Sequence, residues 1–112
     1  QELAILNENN LDIKFILLNN SSLGMVRQWQ EAFYNERRSK SVFSSQPDFI
    51  KLAEAYGIAG VRITDPTKLS EQLTKAFEQK GPVVIEVVTS TTEHVLPMVP
   101  PGQANGRMIG VD

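Results

Sequence analysis

The segment that most constrains the fold is Val83–Val88, in which every residue except Glu86 is β-branched. β-branched side chains favour strands because they pack well on a pleated surface. A second run, at residues 13–18, is almost continuously apolar apart from Lys14. Continuous rather than alternating apolar runs are typical of strands that are covered on both faces, as in a parallel sheet. The sequence therefore predicts two buried strands of one sheet.

The first helix predicted between these two strands is strongly amphipathic. Its apolar residues recur at helical spacing along one stripe, namely Met25, Val26, Trp29, Ala32 and Phe33. Much of the remaining surface is polar, with Arg27, Gln28, Gln30 and Glu31. We expect the apolar stripe to face a core and the helix to fade through residues 35–40.

Two more helices are indicated by their start and stop signals. Ser45, Pro47 and Asp48 resemble a helix start, and Gly57 stands where a left-handed residue often ends a helix. The apolar stripe between them is Phe49, Leu52, Ala53 and Tyr56. Asp65 precedes a Pro that opens the next helix. Its expected buried stripe is Leu69, Leu73, Ala76 and Phe77.

The alternation of strands and amphipathic helices sets the fold class. Residues 60–64 form a brief strand candidate with Val61 and Ile63 on one face, and residues 1–7 are the end of a helix. The order predicts an α/β fold, a parallel sheet with flanking helices and right-handed crossovers. We expect this domain at residues 1–88 and an extended tail at 89–112, where Pro and Gly interrupt any regular period.

Three strands leave an edge or a face of the sheet uncovered, which a free-standing domain would have to hide. The chain also opens at Gln1 within helix-like sequence, with no Met and no signal peptide before Glu2. We therefore expect the chain to be a fragment of a larger protein.

Composition excludes several classes of function. The 112 residues contain no cysteine, which excludes a disulfide scaffold, a zinc finger and a thiolate nucleophile. A formal net charge of -2 provides no electrostatic footprint for nucleic acid or for an acidic membrane surface. No run approaches the roughly 18 apolar residues of a membrane span. Gly-rich phosphate loops of the Rossmann and P-loop types are absent from the sequence as well.

The candidate ligand site lies after the first strand, at residues 19–24. Ligands of open α/β sheets bind beyond the carboxyl ends of the strands, and a helix N-terminus that favours phosphate follows directly. Asn20 and a backbone carbonyl of Ser21 or Ser22 are hard oxygen donors that suit Mg²⁺ beside a diphosphate. A turn that supplies a helix N-cap explains the same residue types completely, so the pattern leaves both explanations open.

Other conspicuous residues have simple structural explanations. Trp29 lies on the apolar stripe and fits core packing. His94 has no spaced partner for a catalytic or metal-ligating group and is typical of a polar loop. Arg37, Arg38 and Lys40 fit a solvated helix end near the negative pole of its dipole, with a phosphate contact as the alternative. The residues alone therefore indicate no catalytic group.

Longer motifs connect these segments. The double Asn at 19–20 is followed by Gly-Met-Val-Arg-Gln-Trp-Gln at 24–30 and by Leu-Ala-Glu-Ala-Tyr-Gly at 52–57. The tail carries His-Val-Leu-Pro-Met-Val-Pro-Pro-Gly at 94–102. Almost from end to end, the chain resembles the thiamine diphosphate-binding domain of the acetohydroxyacid synthase (acetolactate synthase) catalytic subunit. The double Asn alone indicates a thiamine diphosphate enzyme, whereas the Met-Val-x-Gln-Trp-Gln string and the Pro-Met-x-Pro tail are much more specific.

The resemblance implies that this chain supplies part of a site for thiamine diphosphate and Mg²⁺. It assigns the metal ligands to the side chain of Asn20 and the backbone carbonyl of Ser22. The cofactor-binding residues it implies are Asn20, Ser22, Gly24 and Met25. Met25 and Trp29 are expected to line the substrate channel, where Trp29 helps to favour a particular second 2-ketoacid.

The resemblance puts other parts of the site outside this chain. The Asp of a Gly-Asp-Gly turn, the third expected ligand, would lie before Gln1. The glutamate that activates the aminopyrimidine and the domain that holds FAD are expected elsewhere in the larger protein. Within the chain, the tail from His94 is expected to fold over the active site. The isolated chain is therefore expected to be inactive and to bind thiamine diphosphate weakly or not at all.

The implied activity is decarboxylation of pyruvate and condensation of the two-carbon unit with pyruvate or 2-ketobutyrate, in branched-chain amino-acid biosynthesis. The expected partners are a second copy in a homo-oligomer and a regulatory small subunit, with no nucleic acid and no membrane. A bacterial protein of this kind would be cytoplasmic. The alternatives are another thiamine diphosphate carboligase or pyruvate oxidase, and an α/β interaction module without catalysis.

Overall fold

The structure is a computed structural model that describes residues 1–111. Its strands and helices alternate as the sequence predicts, which confirms the α/β fold. In chain order they are α1 (Leu3–Glu8), β1 (Lys14–Asn19), α2 (Gly24–Phe33), α3 (Phe49–Ala55), β2 (Ala59–Ile63), α4 (Leu69–Glu78) and β3 (Val83–Val88). A 3₁₀ turn, Pro66–Lys68, leads into α4.

The sheet is parallel, with the strands in the order β1, β3, β2. β3 lies in the centre, so Ile85 pairs with Ile16 on one side and with Val61 on the other. The first four residues of β3 are buried because a central strand has neighbours at both edges and helices over both faces. This confirms Val83–Val88 as the buried strand that its β-branched residues predict.

One face of the sheet packs against α4. The buried cluster there consists of Ile63, Ala76, Val83 and Ile85. Leu69 and Leu73 pack around this cluster, as their helical spacing predicts. Phe77 was expected in the same stripe but is 54% exposed, so that part of the prediction is wrong. A residue next to Ala76 is rotated by about 100° around the helix axis, which turns Phe77 away from the sheet.

The other face of the sheet packs against α3. The buried cluster there consists of Ala53, Ile58 and Val84, with Leu3, Leu6 and Tyr56 around it. Asp48 is the N-cap of α3, and its carboxylate accepts from the backbone amides of Ile50 and Lys51. Gly57 follows α3 with a φ of +70°, and a Cβ there would lie 2.7 Å from Asn7 Nδ2. The predicted stop at Gly57 is therefore confirmed, whereas the cap is the carboxylate of Asp48 rather than the hydroxyl of Ser45, so the helix begins later than predicted.

β1 lies at an edge of the sheet and has β3 as its neighbour. Phe15, Ile16 and Leu18 are 50%, 44% and 67% exposed. The prediction that this strand is covered on both faces is therefore wrong for the described residues. The reason is that α3 and α4 pack mainly over β2 and β3, which leaves several side chains of β1 exposed, in agreement with the expected uncovered edge.

The chain forms two compact units. The first comprises Gln1–Asn20 and Ser44–Thr89 and contains the sheet with α1, α3 and α4. The second comprises Ser21–Phe43 and the chain from Ser90 onward, and contains α2. The division into a domain at 1–88 and a tail at 89–112 stays a prediction. No helix within residues 1–111 has the length and apolar character needed to cross a membrane.

α2 differs from its prediction in length and in burial. It ends at Phe33 because Asn35, Glu36 and Lys40 adopt positive φ angles, which a right-handed helix excludes. Arg27 and Gln28, on the side expected to face solvent, are only 5% and 2% exposed. The residues of the apolar stripe that are exposed are Met25, Val26, Trp29 and Phe33. The expectation that this stripe packs in a core is therefore wrong for the described residues.

Candidate functional site

β1 carries the double Asn to the carboxyl end of the sheet. Asn19 is the last residue of β1, and Asn20 follows it directly. The side-chain amide of Asn19 donates to Glu86 Oε1 at 2.7 Å, and its backbone carbonyl accepts from the amide of Thr89 at 2.9 Å. The residue before Asn20 is therefore held through both its backbone and its side chain.

Glu86 is the buried centre of a polar network whose other charged members, Arg62 and Asp48, are exposed. Its side chain is 3% exposed, and its Oε2 accepts from Arg62 Nε at 2.6 Å. The parallel register places Arg62 directly opposite Glu86 on the neighbouring strand, so both side chains lie on one face of the sheet. Arg62 Nη2 in turn donates to Asp48 Oδ1 at 2.7 Å. These contacts offset part of the cost of removing the Glu86 carboxylate from water.

The same contacts shift two pKa values. The backbone amide of Lys51 and, after it, the Arg62 guanidinium lower the pKa of Asp48. Hydrogen bonds to Glu86 and Asp48 raise the pKa of Arg62. Sequence reasoning missed this network. The available signal was the single acid within an otherwise β-branched strand, because a buried Glu requires a partner.

Residues 21–24 belong to the second unit, in which Ser22 forms an antiparallel bridge with Val42. The bridge consists of two hydrogen bonds between the neighbouring residues. Leu23 N donates to Ser41 O at 2.8 Å, and Phe43 N donates to Ser21 O at 3.0 Å. In a trans peptide the C=O of one residue and the N–H of the next point in opposite directions, and the N–H of Leu23 points to Ser41. The carbonyl of Ser22 is therefore directed away from residues 41–43.

α2 begins at Gly24 without a side-chain cap. The N-cap position is occupied by Leu23, whose side chain makes no hydrogen bond to the first turn. The N-cap explanation of residues 19–22 required an Asn or Ser at this position. The explanation of residues 19–22 as a turn that supplies the N-cap of α2 is therefore wrong with respect to the N-cap.

Met25 and Trp29 lie one turn apart on α2 and line an open apolar groove in the second unit. The groove has a volume of about 740 Å³ and is lined by Met25, Val26, Trp29, Gln30, Tyr34 and Arg37. The rings of Trp29 and Phe33 meet edge to face, with centroids 5.8 Å apart and planes at 84°. The structure thus brings together the two residues expected at the substrate channel. Trp29 is 38% exposed and is not part of a buried core cluster among the described residues.

The opposite side of α2 binds the tail. Gln28 Oε1 accepts from the backbone amide of Val95 at 2.8 Å, and Gln28 Nε2 donates to the carbonyl of Val95 at 3.0 Å. The same Nε2 lies 3.4 Å from Met98 Sδ. Arg27 Nη2 donates to the carbonyl of Glu93 at 3.2 Å. These contacts bury Arg27 and Gln28 on the polar side of α2, and this is why the polar side is buried where the sequence predicted that it faces solvent.

Glu31 adds a charged contact between α2 and the tail. Its carboxylate contacts His94 Nε2 and lies 2.8 Å from Arg38 Nε and 3.3 Å from Arg27 Nε. The hydrogen bond to His94 and, after it, the charges of Arg27 and Arg38 lower the pKa of Glu31. His94, predicted as a loop residue without a partner, therefore has one. Among residues 1–111, no group of three or more His, Asp or Glu side chains could hold a metal ion.

A family match accounts for the sheet and its flanking helices. Residues 1–87 match the family described as thiamine pyrophosphate enzyme, C-terminal TPP binding domain. The chain belongs to the thiamine pyrophosphate enzyme family. The matched range of this TPP-binding domain contains Asn20, Ser22, Gly24, Met25 and Trp29. The resemblance recognised from the motifs is thereby confirmed.

Curated relatives of this TPP-binding chain are similar over nearly all of it. The acetolactate synthase large subunit of Lactococcus lactis subsp. lactis (strain IL1403) is 54% identical over 111 residues, 99% of this chain and 19% of that protein. The acetolactate synthase large subunit of Cyanidium caldarium is 41% identical over 112 residues, with the same coverage of each.

The acetolactate synthase isozyme 2 large subunit of Escherichia coli (strain K12) is 40% identical over 109 residues, 97% of this chain and 20% of that protein. The chain therefore spans about a fifth of the length of these relatives. Their similarity continues past residue 87 into the tail, beyond the matched TPP-binding domain.

Proposed function

We propose that this chain is part of an acetolactate synthase large subunit. The whole protein would decarboxylate pyruvate and join the two-carbon unit to a second 2-ketoacid, pyruvate or 2-ketobutyrate, in branched-chain amino-acid biosynthesis. The observation that carries the proposal is the similarity to acetolactate synthase large subunits over 97–99% of the chain. A shared cofactor domain alone would not extend through the tail.

The oxygen donors of this chain fit Mg²⁺ beside a diphosphate. Asn20 offers an amide oxygen and Ser22 a backbone carbonyl, and Mg²⁺ takes few protein ligands when phosphates provide others. Asn20 follows the carboxyl end of β1, where ligands of open α/β sheets bind. The bridge to Val42 directs the carbonyl of Ser22 away from its paired segment.

We further propose that Gly24 and Met25 contact the cofactor, because the first turn of α2 offers amides that favour a diphosphate. Bound thiamine diphosphate would supply the carbon nucleophile and the electron sink of the reaction. The role of this chain is to hold the metal and to provide one wall of the substrate channel. A third metal ligand is assigned by resemblance to a Gly-Asp-Gly turn, a motif that the 112 residues do not contain.

The groove lined by Met25 and Trp29 supports a substrate role, because two large apolar side chains there can select a ketoacid by its size. The tail from His94, held on α2 through Gln28 and Glu31, is proposed as the segment that covers the active site. FAD would be bound by the whole protein outside this segment. Assembly into a homo-oligomer and binding of a regulatory small subunit belong to the same proposal.

Two alternative functions are testable. Another thiamine diphosphate carboligase, such as a catabolic acetolactate synthase or a pyruvate oxidase, would share the TPP-binding domain. Trp29 favours the biosynthetic enzyme. A non-catalytic interaction module is favoured by one observation, the exposed apolar surface of β1. The sequence upstream of Gln1 distinguishes the module from the enzyme, because only the enzyme requires a Gly-Asp-Gly turn in the same reading frame.

The direct test is an assay of the full-length protein that contains this chain. We expect acetolactate to form from pyruvate only when both thiamine diphosphate and Mg²⁺ are present, and mixed product to form when 2-ketobutyrate is added. Oxidation of pyruvate to acetyl phosphate or acetate would indicate a pyruvate oxidase instead. Absence of any pyruvate consumption by a folded, cofactor-saturated protein would reject the proposed function.

A further inference from the structure

Glu86 occupies a position where stability alone favours an apolar residue. It lies within the central strand, is 3% exposed and is the only residue of β3 that is not β-branched. Replacing buried ion pairs by apolar residues of similar size is often neutral or stabilising. An acid at this point therefore points to a task that a sixth β-branched residue could not perform.

The two oxygens of Glu86 are divided between two strands. Oε2 accepts from Arg62 on β2 at 2.6 Å, and Oε1 accepts from the side chain of Asn19 on β1 at 2.7 Å. Leu17 is the residue of β1 directly opposite Glu86, so Asn19 lies two positions further along the same face. Glu86 thus reaches diagonally to the side chain of the last residue of β1, whose backbone carbonyl is held separately by the amide of Thr89.

Arg62 keeps the Glu86 carboxylate in one orientation. It donates from Nε to Glu86 and from Nη2 to Asp48, whose side chain also caps α3. The guanidinium of Arg62 is therefore held by two carboxylates, one on β3 and one at the N-terminus of α3. With Oε2 held in this way, Oε1 is presented to Asn19 in a single direction.

We propose that Glu86, supported by Arg62, is a positioning residue that fixes Asn19 and thereby sets the direction of the adjacent Asn20. The inference rests on the proposed function, in which Asn20 is a ligand of Mg²⁺. Residues that orient metal ligands from behind commonly change metal affinity by about 10- to 100-fold when they are mutated. Glu86 acts through Asn19, and neither residue needs to touch the metal or the cofactor.

The test uses the full-length protein that contains this chain, with Glu86→Gln, Asn19→Ala and the double variant. A glutamine has one side-chain acceptor, so the hydrogen bonds that Glu86 accepts from Asn19 Nδ2 and from Arg62 Nε are not both kept in Glu86→Gln. The Asn19 side chain keeps a contact there only by turning its amide so that its oxygen accepts, which Asn19→Ala excludes. Asn19→Ala removes the other end of the same contact and leaves the pair between Glu86 and Arg62. Glu71→Gln is the matched control, because it breaks the exposed pair with Lys75, also 2.6 Å long, in the same unit.

The first readout is the Mg²⁺ concentration that gives half-maximal binding of thiamine diphosphate, measured by calorimetry without substrate. We expect an increase of about tenfold in each single variant and the same increase in the double variant, because both changes remove one contact. Turnover at saturating Mg²⁺ should stay within about twofold of wild type, and Glu71→Gln should behave as wild type. An increase of about a hundredfold in the Mg²⁺ requirement of the double variant, the product of two independent tenfold effects, would show that Glu86 does not act through Asn19.

The second readout is amide hydrogen exchange of residues 14–20 in protein free of metal and cofactor. Faster exchange at the end of β1 in both variants is expected, and unchanged exchange would overturn the proposal. A folded variant with the wild-type Mg²⁺ requirement would overturn it as well. If Glu86→Gln does not fold, Asn19→Ala decides alone. Wild-type protein that binds no thiamine diphosphate would reject the proposed function, and the exchange data would still report whether Glu86 fixes this strand end.

Discussion

The side-chain amide of Gln28 makes the pair of hydrogen bonds that a backbone segment would make. Its amide accepts from and donates to the peptide groups of Val95, as a neighbouring strand would. Because Gln28 is 2% exposed, losing this partner would leave buried polar groups unpaired, which is costly. Gln28 therefore orders the tail even though the tail has no regular secondary structure around Val95.

The second residue that holds the tail, Glu31, makes this contact sensitive to acid. Its pKa is lowered by His94, Arg38 and Arg27, so the contact stabilises the folded state above the usual carboxyl pKa. The stability is lost as the pH falls through the lowered pKa of Glu31. In the wild-type protein we expect the amides of residues 93–98 to exchange faster at acidic pH than at neutral pH. The comparison is made after correction for the intrinsic exchange rates.

The control for this prediction is Glu31→Gln. It should show the faster exchange of residues 93–98 already at neutral pH and should lose most of the additional change in acid. Glu71→Gln, which removes an exposed carboxylate from α4, should keep the wild-type profile. Identical pH profiles for Glu31→Gln and wild type would contradict the assigned role of Glu31.

A substitution of Trp29 tests whether this residue lines the substrate channel. In the full-length protein, Trp29→Leu removes a large ring from the groove, and we expect the preference for 2-ketobutyrate over pyruvate to fall by roughly tenfold or more. The measurement is the ratio of the two products from mixed substrates. Phe77→Leu is the matched control, because Phe77 is a half-exposed aromatic residue on α4. An unchanged ratio in Trp29→Leu would remove the reason for assigning the biosynthetic enzyme.

Residue contacts were predictable only where they follow a local period. Met25 and Trp29 lie one helical turn apart, so their common face could be read from spacing. The contact between Gln28 and Val95 joins residues 67 positions apart, so no local sequence pattern predicts it. The apolar stripe of α2 was predicted as a stripe, but its surroundings depend on residues beyond the local sequence.

At the scale of elements, β3 determines the sheet. Ile85 is completely buried between β1 and β2 and packs in the cluster on the α4 side. We expect Ile85→Ala in the full-length protein to lower the free energy of unfolding by about 2–5 kcal/mol through lost contacts and a cavity. Phe77→Ala should cost clearly less, because Phe77 is 54% exposed. Denaturant titration measures both, and equal costs would contradict the assigned core.

The end of α3 was predictable because its signal is local, whereas the caps of α2 and α3 and the end of α2 differ from their predictions. Asp48 caps α3 through its own next residues, and Gly57 supplies the positive φ that ends the same helix. The strand order could not be read in this way. Nothing within residues 13–18 specifies that β3 rather than β2 is the neighbour of β1, or that the helices leave β1 bare.

At the scale of the whole molecule, this chain contributes a sheet, half of a proposed metal site and a groove. Asn20 and Ser22 alone offer two neutral oxygen donors, which is too little for a tight Mg²⁺ site without phosphates and a further ligand. We expect the isolated 112-residue chain to form no acetolactate and to show no saturable binding of thiamine diphosphate at micromolar concentration. Calorimetric titration in the presence of Mg²⁺ checks this, and micromolar binding would contradict it.

The proposed function depends above all on Asn20, which is proposed as part of a site for Mg²⁺ and thiamine diphosphate. The most direct measurement is calorimetric titration of thiamine diphosphate, with Mg²⁺ present, into the full-length protein and its Asn20→Ala variant. Asn9→Ala is the matched control, because Asn9 is an exposed residue at the end of α1. We expect wild-type affinity for Asn9→Ala and affinity at least about tenfold weaker for Asn20→Ala. Wild-type affinity in a folded Asn20→Ala variant would contradict this expectation.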